Sequence, residues 1–84
     1  MNKQSKDGLR PELKEFAKAM EAKLKKNDYK PHWEHELVEH LLERLEEEVK
    51  ELEQALWEDG GNVASEAVDV ANFVMMIYSK VKHE

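Results

Sequence analysis

Apolar residues recur at spacings of three and four through most of this chain, a period that predicts helices and leaves no alternating run for a strand. Leu13, Phe16, Ala17, Met20 and Leu24 form one stripe over residues 11–26, and Pro11 suits a first helical turn. Asn27, Asp28 and Pro31 break that pattern. A second helix is predicted over 34–58, carried by Leu37, Val38, Leu41, Leu45, Val49, Leu52, Ala55 and Leu56. Gly60 and Gly61 close it, because glycine enters the left-handed conformation without strain, and Asn62 is placed to cap a third helix over 63–82. On that helix Ala67, Val70, Ala71, Val74, Ile77, Tyr78 and Val81 make a wide apolar face, beside a narrow polar stripe of Asn62, Ser65, Glu66, Asp69 and Asn72.

The connection EDGGN at 58–62 is short enough to force the second and third helices into an antiparallel hairpin. One residue conflicts with the pattern: Glu48 points along the apolar stripe of the second helix, where an unpartnered carboxylate costs several kcal/mol. Glu51 follows three residues later at the edge of the stripe, and Glu66 and Asp69 repeat the spacing on the third helix. Counted from the glycine pair, Glu51 and Asp69 lie at the same level, roughly 13 Å from the turn at ~1.5 Å per residue, and are expected to face each other. Four gathered carboxylates repel. Hard divalent cations with oxygen ligands, such as Mg²⁺ or Mn²⁺, would reverse the sign of that energy. A heptad reading of the second helix is possible, although Glu48 interrupts its seam.

Size and charge narrow the classes. The 84 residues make one domain over 9–84 behind a polar, flexible tail at 1–8, and a chain of this size has a limited core of its own. Self-association into a homodimer or homotetramer with a four-helix-bundle core is therefore expected, with the first helix packed outside. The net charge of −6 is uneven: residues 1–30 carry nine Lys/Arg against five acids, and residues 34–59 carry eleven acids against two bases. An acidic middle segment repels a phosphate backbone, which argues against a nucleic-acid polymer as partner. There are no cysteines, so disulfides, thiolate metal sites and cysteine nucleophiles are excluded. No signal peptide or membrane span is expected, and a cytoplasmic location is the default.

The run Leu45-Glu46-Glu47-Glu48-Val49-Lys50-Glu51-Leu52, followed after fourteen residues by Glu66-Ala67-Val68-Asp69, resembles the EExxE, spacer, ExxD signature of the MazG-like superfamily of all-α nucleoside triphosphate pyrophosphohydrolases. The resemblance is strongest over 41–77. It implies an all-α enzyme that hydrolyses a (deoxy)nucleoside triphosphate to the monophosphate and pyrophosphate, in nucleotide-pool house-cleaning. By the same analogy Glu48, Glu51, Glu66 and Asp69 would ligate Mg²⁺, with Mn²⁺ as a substitute, and Glu47 would hold a further ion or orient the attacking water. Asn72 could hydrogen-bond a phosphate or a sugar hydroxyl, while Lys80 or a lysine of the first helix meets the outer phosphates. Trp33 and His32 could stack on and hydrogen-bond the base.

Plainer readings stand beside these. Acids of the second helix outside the stripe, such as Glu53, suit a solvated face; Glu48 could pair with Arg44; Trp33 could be an N-terminal hydrophobic staple. Trp57, opposite Glu48 on the wheel, suits contact with another chain. The four histidines do not make a zinc site, since His35 and His40 fall on different faces. The alternative function is a non-catalytic acidic interaction module, or a degenerate relative that binds nucleotides without turning them over.

Overall fold

The computed structural model describes residues 8–27 and 33–83, all of whose regular structure is helical. The described residues form three helices, α1 (Pro11–Lys26), α2 (Val38–Trp57) and α3 (Val63–Lys82), with a 3₁₀ turn at Trp33–His35 ahead of α2 and a tight connection after it. α3 is the central element: α2 packs along it as a hairpin, and α1 and the 3₁₀ turn pack on it as well. No described helix is long and apolar enough to cross a membrane. His32 and most of the 1–8 tail lie outside the described residues.

Local signals account for most of the helix ends. Pro11 stands at the start of α1, and at its end the Asn27 N–H donates to the carbonyls of Leu24 and Lys25 while its side-chain amide donates to Lys23 O. The Asn62 side chain accepts from Ser65 N at 3.2 Å and satisfies an otherwise orphaned N–H of α3. α2 ends at Trp57, so the left-handed residue belongs to the connection and not to the helix's last turn. Gly60 adopts φ +78°, and Gly61 N donates to Glu58 O to close the reversal. Gly61 is there for space: a Cβ on it would run into the Ala55 backbone.

The second helix begins later than the 34–58 expectation. Residues 33–35 form their own 3₁₀ turn, Leu37 is extended (φ −69°, ψ 146°), and its carbonyl opens α2 by accepting from His40 N and Leu41 N. A continuous helix would use the Glu34 carbonyl for its own i+4 N–H. Here Lys80 Nζ of α3 donates to that carbonyl at 2.8 Å and ties the 3₁₀ turn to α3 instead.

The helix faces are also arranged differently from the wheel. On α2 the inward line is Leu41, Glu48 and Ala55, at heptad spacing, with Leu41 only 2% exposed. One residue along, Leu42, Val49 and Leu56 form a parallel apolar line that stays exposed, flanked by half-buried Leu45 and Leu52. Leu41, Leu45, Glu48, Leu52 and Ala55 alternate spacings of four and three, so Glu48 takes one position of the inward seam and interrupts it, as the sequence pattern implies. On α3 the buried residues are Val68 and Asn72, on or beside the polar stripe, whereas Val74, Tyr78 and Val81 of the wide apolar face remain exposed. Among the described residues the buried apolar side chains are Leu41, Ala55 and Val68, so this core is organised around a polar line.

Candidate active site

The polar line is where the acids meet. Glu48 and Glu51 lie one turn apart on α2, Glu66 faces them from the first turn of α3, and one oxygen from each falls within 4.8 Å of the others. Glu48 Oε1 and Glu66 Oε1 are both shut off from solvent with no hydrogen-bond partner. Burial pushes the Glu48 carboxyl above its ordinary pKa, and the charges of Glu51, Asp69 and Glu66 push the same way against a smaller opposing effect of Arg44. Glu66 is raised too, first by burial and then by Glu51 and Asp69, with a hydrogen bond shared with Glu51 adding to the effect. Both carboxyls hold a proton more readily than a free glutamate, because burial and the neighbouring acids outweigh the opposing charges of Arg44 on Glu48 and Lys23 on Glu66.

The donor set fits a hard divalent cation. Oxygens around an ion with ~2.1 Å bonds stand roughly 3.0 Å apart when cis and 4.2 Å when trans, so a group already within 4.8 Å closes by side-chain movement alone. The two orphaned carboxylate oxygens are the acceptors such an ion would satisfy.

Asp69 stands outside this group of three but close enough to raise the pKa of both Glu48 and Glu66. Its Oδ1 accepts from Lys23 Nζ of α1 at 2.9 Å, and the two side chains are about equally shielded, at 30% and 29% exposure. The absence of Lys or Arg along most of α3 is thus made good by α1. Glu47 is exposed and lies 3.6 Å from Arg44 Nε, outside the three-acid group. Arg44 also stacks over Phe73, 5.0 Å from the ring centre, so it bridges the two helices at the site's edge. Asn72 is 5% exposed; its Nδ2 donates to Met20 O at 3.3 Å and its Oδ1 has no partner. Lys80 is occupied by the Glu34 carbonyl.

Of these groups, Glu48, Asp69, Asn72, Lys23, Arg44 and Phe73 border a cavity of about 450 Å³, within the range of small-molecule sites, and Glu51 and Glu66 do not line it. Glu48, Asp69 and Asn72 line one part of it, Lys23 and Leu24 come from α1, and Trp33, Phe73 and Met76 supply apolar and aromatic surface. Trp33 is therefore at the cavity and not on a separate face. Lys23 and the Met20 carbonyl carry no local sequence signal, since each meets α3 across about fifty residues, at separations of 46 and 52.

The phosphoribosyl-ATP pyrophosphohydrolase family model matches residues 13–82, which takes in all three helices and every acid of the cluster. The chain belongs to this family. It is a pyrophosphohydrolase family within the MazG-like all-α superfamily, and the match extends on both sides of the 41–77 segment where the EExxE and ExxD resemblance is strongest. No curated protein and no solved structure matches the chain. Membership of the pyrophosphohydrolase family gives the acid cluster a chemical context: the bond cleaved in such enzymes joins two anionic phosphates, and an acidic site can approach them only with positive charge between.

Proposed function

We propose that the protein is a Mg²⁺-dependent pyrophosphohydrolase that cleaves the α–β anhydride of a nucleoside triphosphate, releasing the monophosphate and pyrophosphate. The observation that carries this reading is the pair of buried, unpartnered oxygens of Glu48 and Glu66, converging with Glu51 beside a cavity of nucleotide scale. Glu48, Glu51 and Glu66 would hold the ion, with Asp69 one turn beyond Glu66. When bound, Mg²⁺ or Mn²⁺ supplies the positive charge that the phosphoryl oxygens need and acidifies the attacking water. Glu47 stays on the rim in this reading, for a further ion or for orienting that water. Trp33 and Phe73 offer flat apolar surface for a base, and Asn72 Oδ1 calls for an N–H or O–H donor, which a sugar hydroxyl supplies and a phosphate oxygen does not. Lys80 acts indirectly, by pinning the turn that carries Trp33.

Assembly belongs to the same proposal. The exposed lines Leu42, Val49, Leu56 and Val74, Tyr78, Val81 give the α2–α3 hairpin an outer apolar surface that suits a second copy, as a homodimer or homotetramer with a four-helix core. Trp57, 85% exposed, fits the rim of such an interface. A cytoplasmic role in clearing nucleotide pools follows from the activity class.

The deciding experiment is a panel of canonical and modified NTPs and dNTPs, with phosphoribosyl-ATP included because the family description names it, assayed with Mg²⁺ for pyrophosphate. Pyrophosphate release with loss of turnover in Glu48→Gln supports the proposal. Orthophosphate as product overturns it, and no turnover on any member of the panel favours the acidic interaction module.

A further inference from the structure

α1 is the least embedded helix, with no residue fully buried, yet it forms one wall of the cavity through Lys23, Leu24 and Asn27. Two polar ties hold its inner face to α3: the Lys23–Asp69 ion pair and the hydrogen bond from Asn72 to the Met20 carbonyl. Both land on the stripe of α3 that carries Glu66, one turn apart from each other. Asp69 is also close enough in charge to Glu48 and Glu66 to disfavour ionisation of both. Lys23 therefore serves as counter-ion to one carboxylate of a set that is otherwise short of positive charge.

We propose that Lys23 and a divalent cation compete for Asp69, so that metal binding releases the Lys23 ammonium from α3 into the cavity, where it is positioned for the outer phosphates of the substrate. This rests on the metal-dependent reading above. The geometry favours exchange over simple coexistence. Asp69 Oδ1 is engaged by the ammonium at 2.9 Å, and a divalent cation drawing on the same carboxylate, even through Oδ2, would stand close enough to the ammonium to repel it. Lys23 has a long, flexible stem and a compact charge, and it already borders the cavity. Opening the ion pair leaves α1 with the weaker Asn72 tie, so the wall of the cavity loosens as the ion arrives and re-forms when a triphosphate supplies a new partner for Lys23.

The test compares the wild-type protein with Lys23→Met, which keeps the apolar stem, and Lys23→Arg, which keeps the charge; circular dichroism checks that each is helical. Mn²⁺ affinity without nucleotide is read by calorimetry, and amide hydrogen exchange is followed over 11–26 with and without the ion. A partly exposed ion pair is worth up to about 1 kcal/mol, so Lys23→Met should bind Mn²⁺ roughly two- to five-fold more tightly. Mn²⁺ should speed exchange in α1 of the wild type, whereas α1 of Lys23→Met should exchange fast with or without it. Wild-type binding with equal affinity in Lys23→Met overturns the competition. Tighter binding without any metal-dependent change in α1 overturns the exchange, since Lys23 is then a background charge. If the wild type binds no Mn²⁺ at all, the metal-dependent reading itself fails and this inference falls with it.

Discussion

Glu48→Gln should move the melting temperature in opposite directions with and without metal. The three carboxylate oxygens of the cluster lie within 4.8 Å of one another, so each like-charge pair at this distance repels by about 1 kcal/mol even at the dielectric constant of water, and by about 3.5 kcal/mol at an effective value of ~20. Glu51 is exposed and Glu66 half-buried, which places the pairs nearer the lower figure. Removing the Glu48 charge relieves its repulsion with both, and an amide is cheaper to bury, so the variant in chelator should gain about 1–2 kcal/mol, or roughly 5–15 °C for a domain of this size. With Mg²⁺ at a hundredfold excess over its dissociation constant the wild type should gain about 2.7 kcal/mol, roughly 10–20 °C, and Glu48→Gln should lose most of that gain. The assay is thermal unfolding followed by circular dichroism at one protein concentration, in Mg²⁺ and in chelator. If Glu48→Gln melts below the wild type in chelator, Glu48 is a structural carboxylate held by a cation such as Arg44, and the argument from repulsion is wrong. If Mg²⁺ leaves the wild type unmoved, the cluster is not a metal site.

Acid should separate the same two states. Glu48 and Glu66 have folded pKa values above the ordinary 4.5, so between that value and their raised ones the native protein binds protons that the unfolded chain has released. Stability in chelator should therefore fall as pH rises through this window, and Mn²⁺ affinity should weaken as pH drops through it; urea midpoints in chelator that fall on acidification across it would contradict the assignment. Gly61→Ala should cost about 2–3 kcal/mol, because its Cβ meets immovable backbone of Ala55, whereas Gly60→Ala, with open space but φ +78°, should cost about 1 kcal/mol; equal denaturation midpoints for the two would refute the steric account. Val49→Lys, on the exposed α2 line, should dissociate the proposed oligomer in sedimentation without loss of helicity, and an unchanged sedimentation coefficient would place the interface elsewhere.

How much of this was legible in the chain depends on the range of the interaction. α1 and α3 are set by nearby residues, Pro11 and the Asn62 cap among them, and their ends match the sequence pattern. Before α2 starts, Lys80 takes the carbonyl of Glu34 from 46 residues away, and nothing in the local periodicity at 34–37 could reveal that contact. The same holds within the site. Spacing of three marked Glu48, Glu51, Glu66 and Asp69 as two pairs, but it does not show that Glu48, Glu51 and Glu66 converge while Asp69 takes a lysine from α1. On α3 the wheel identified the apolar face, but amphipathicity does not say what meets it. Asn72 and Val68 turn toward the chain's own neighbours, and Val74, Tyr78 and Val81 do not.

That inversion follows from where the carboxylates must stand. A helix has room for two adjacent heptad lines, and α2 uses one, Leu41, Glu48 and Ala55, to carry an acid between two well-buried residues. Burial there gives Glu48 a fixed position and an orphaned oxygen, both useful to a cation site and both unfavourable to the isolated fold. The apolar residues that would ordinarily offset such a cost lie one position along, at Leu42, Val49 and Leu56, where α3 does not cover them. The chain thus separates the helix face that does chemistry from the face that can supply stability. The consequence is a link between site and assembly: covering the second line adds apolar burial without touching the acids, so a fold strained by its cluster can be stabilised from outside while the oxygens of Glu48 and Glu66 stay free for an ion.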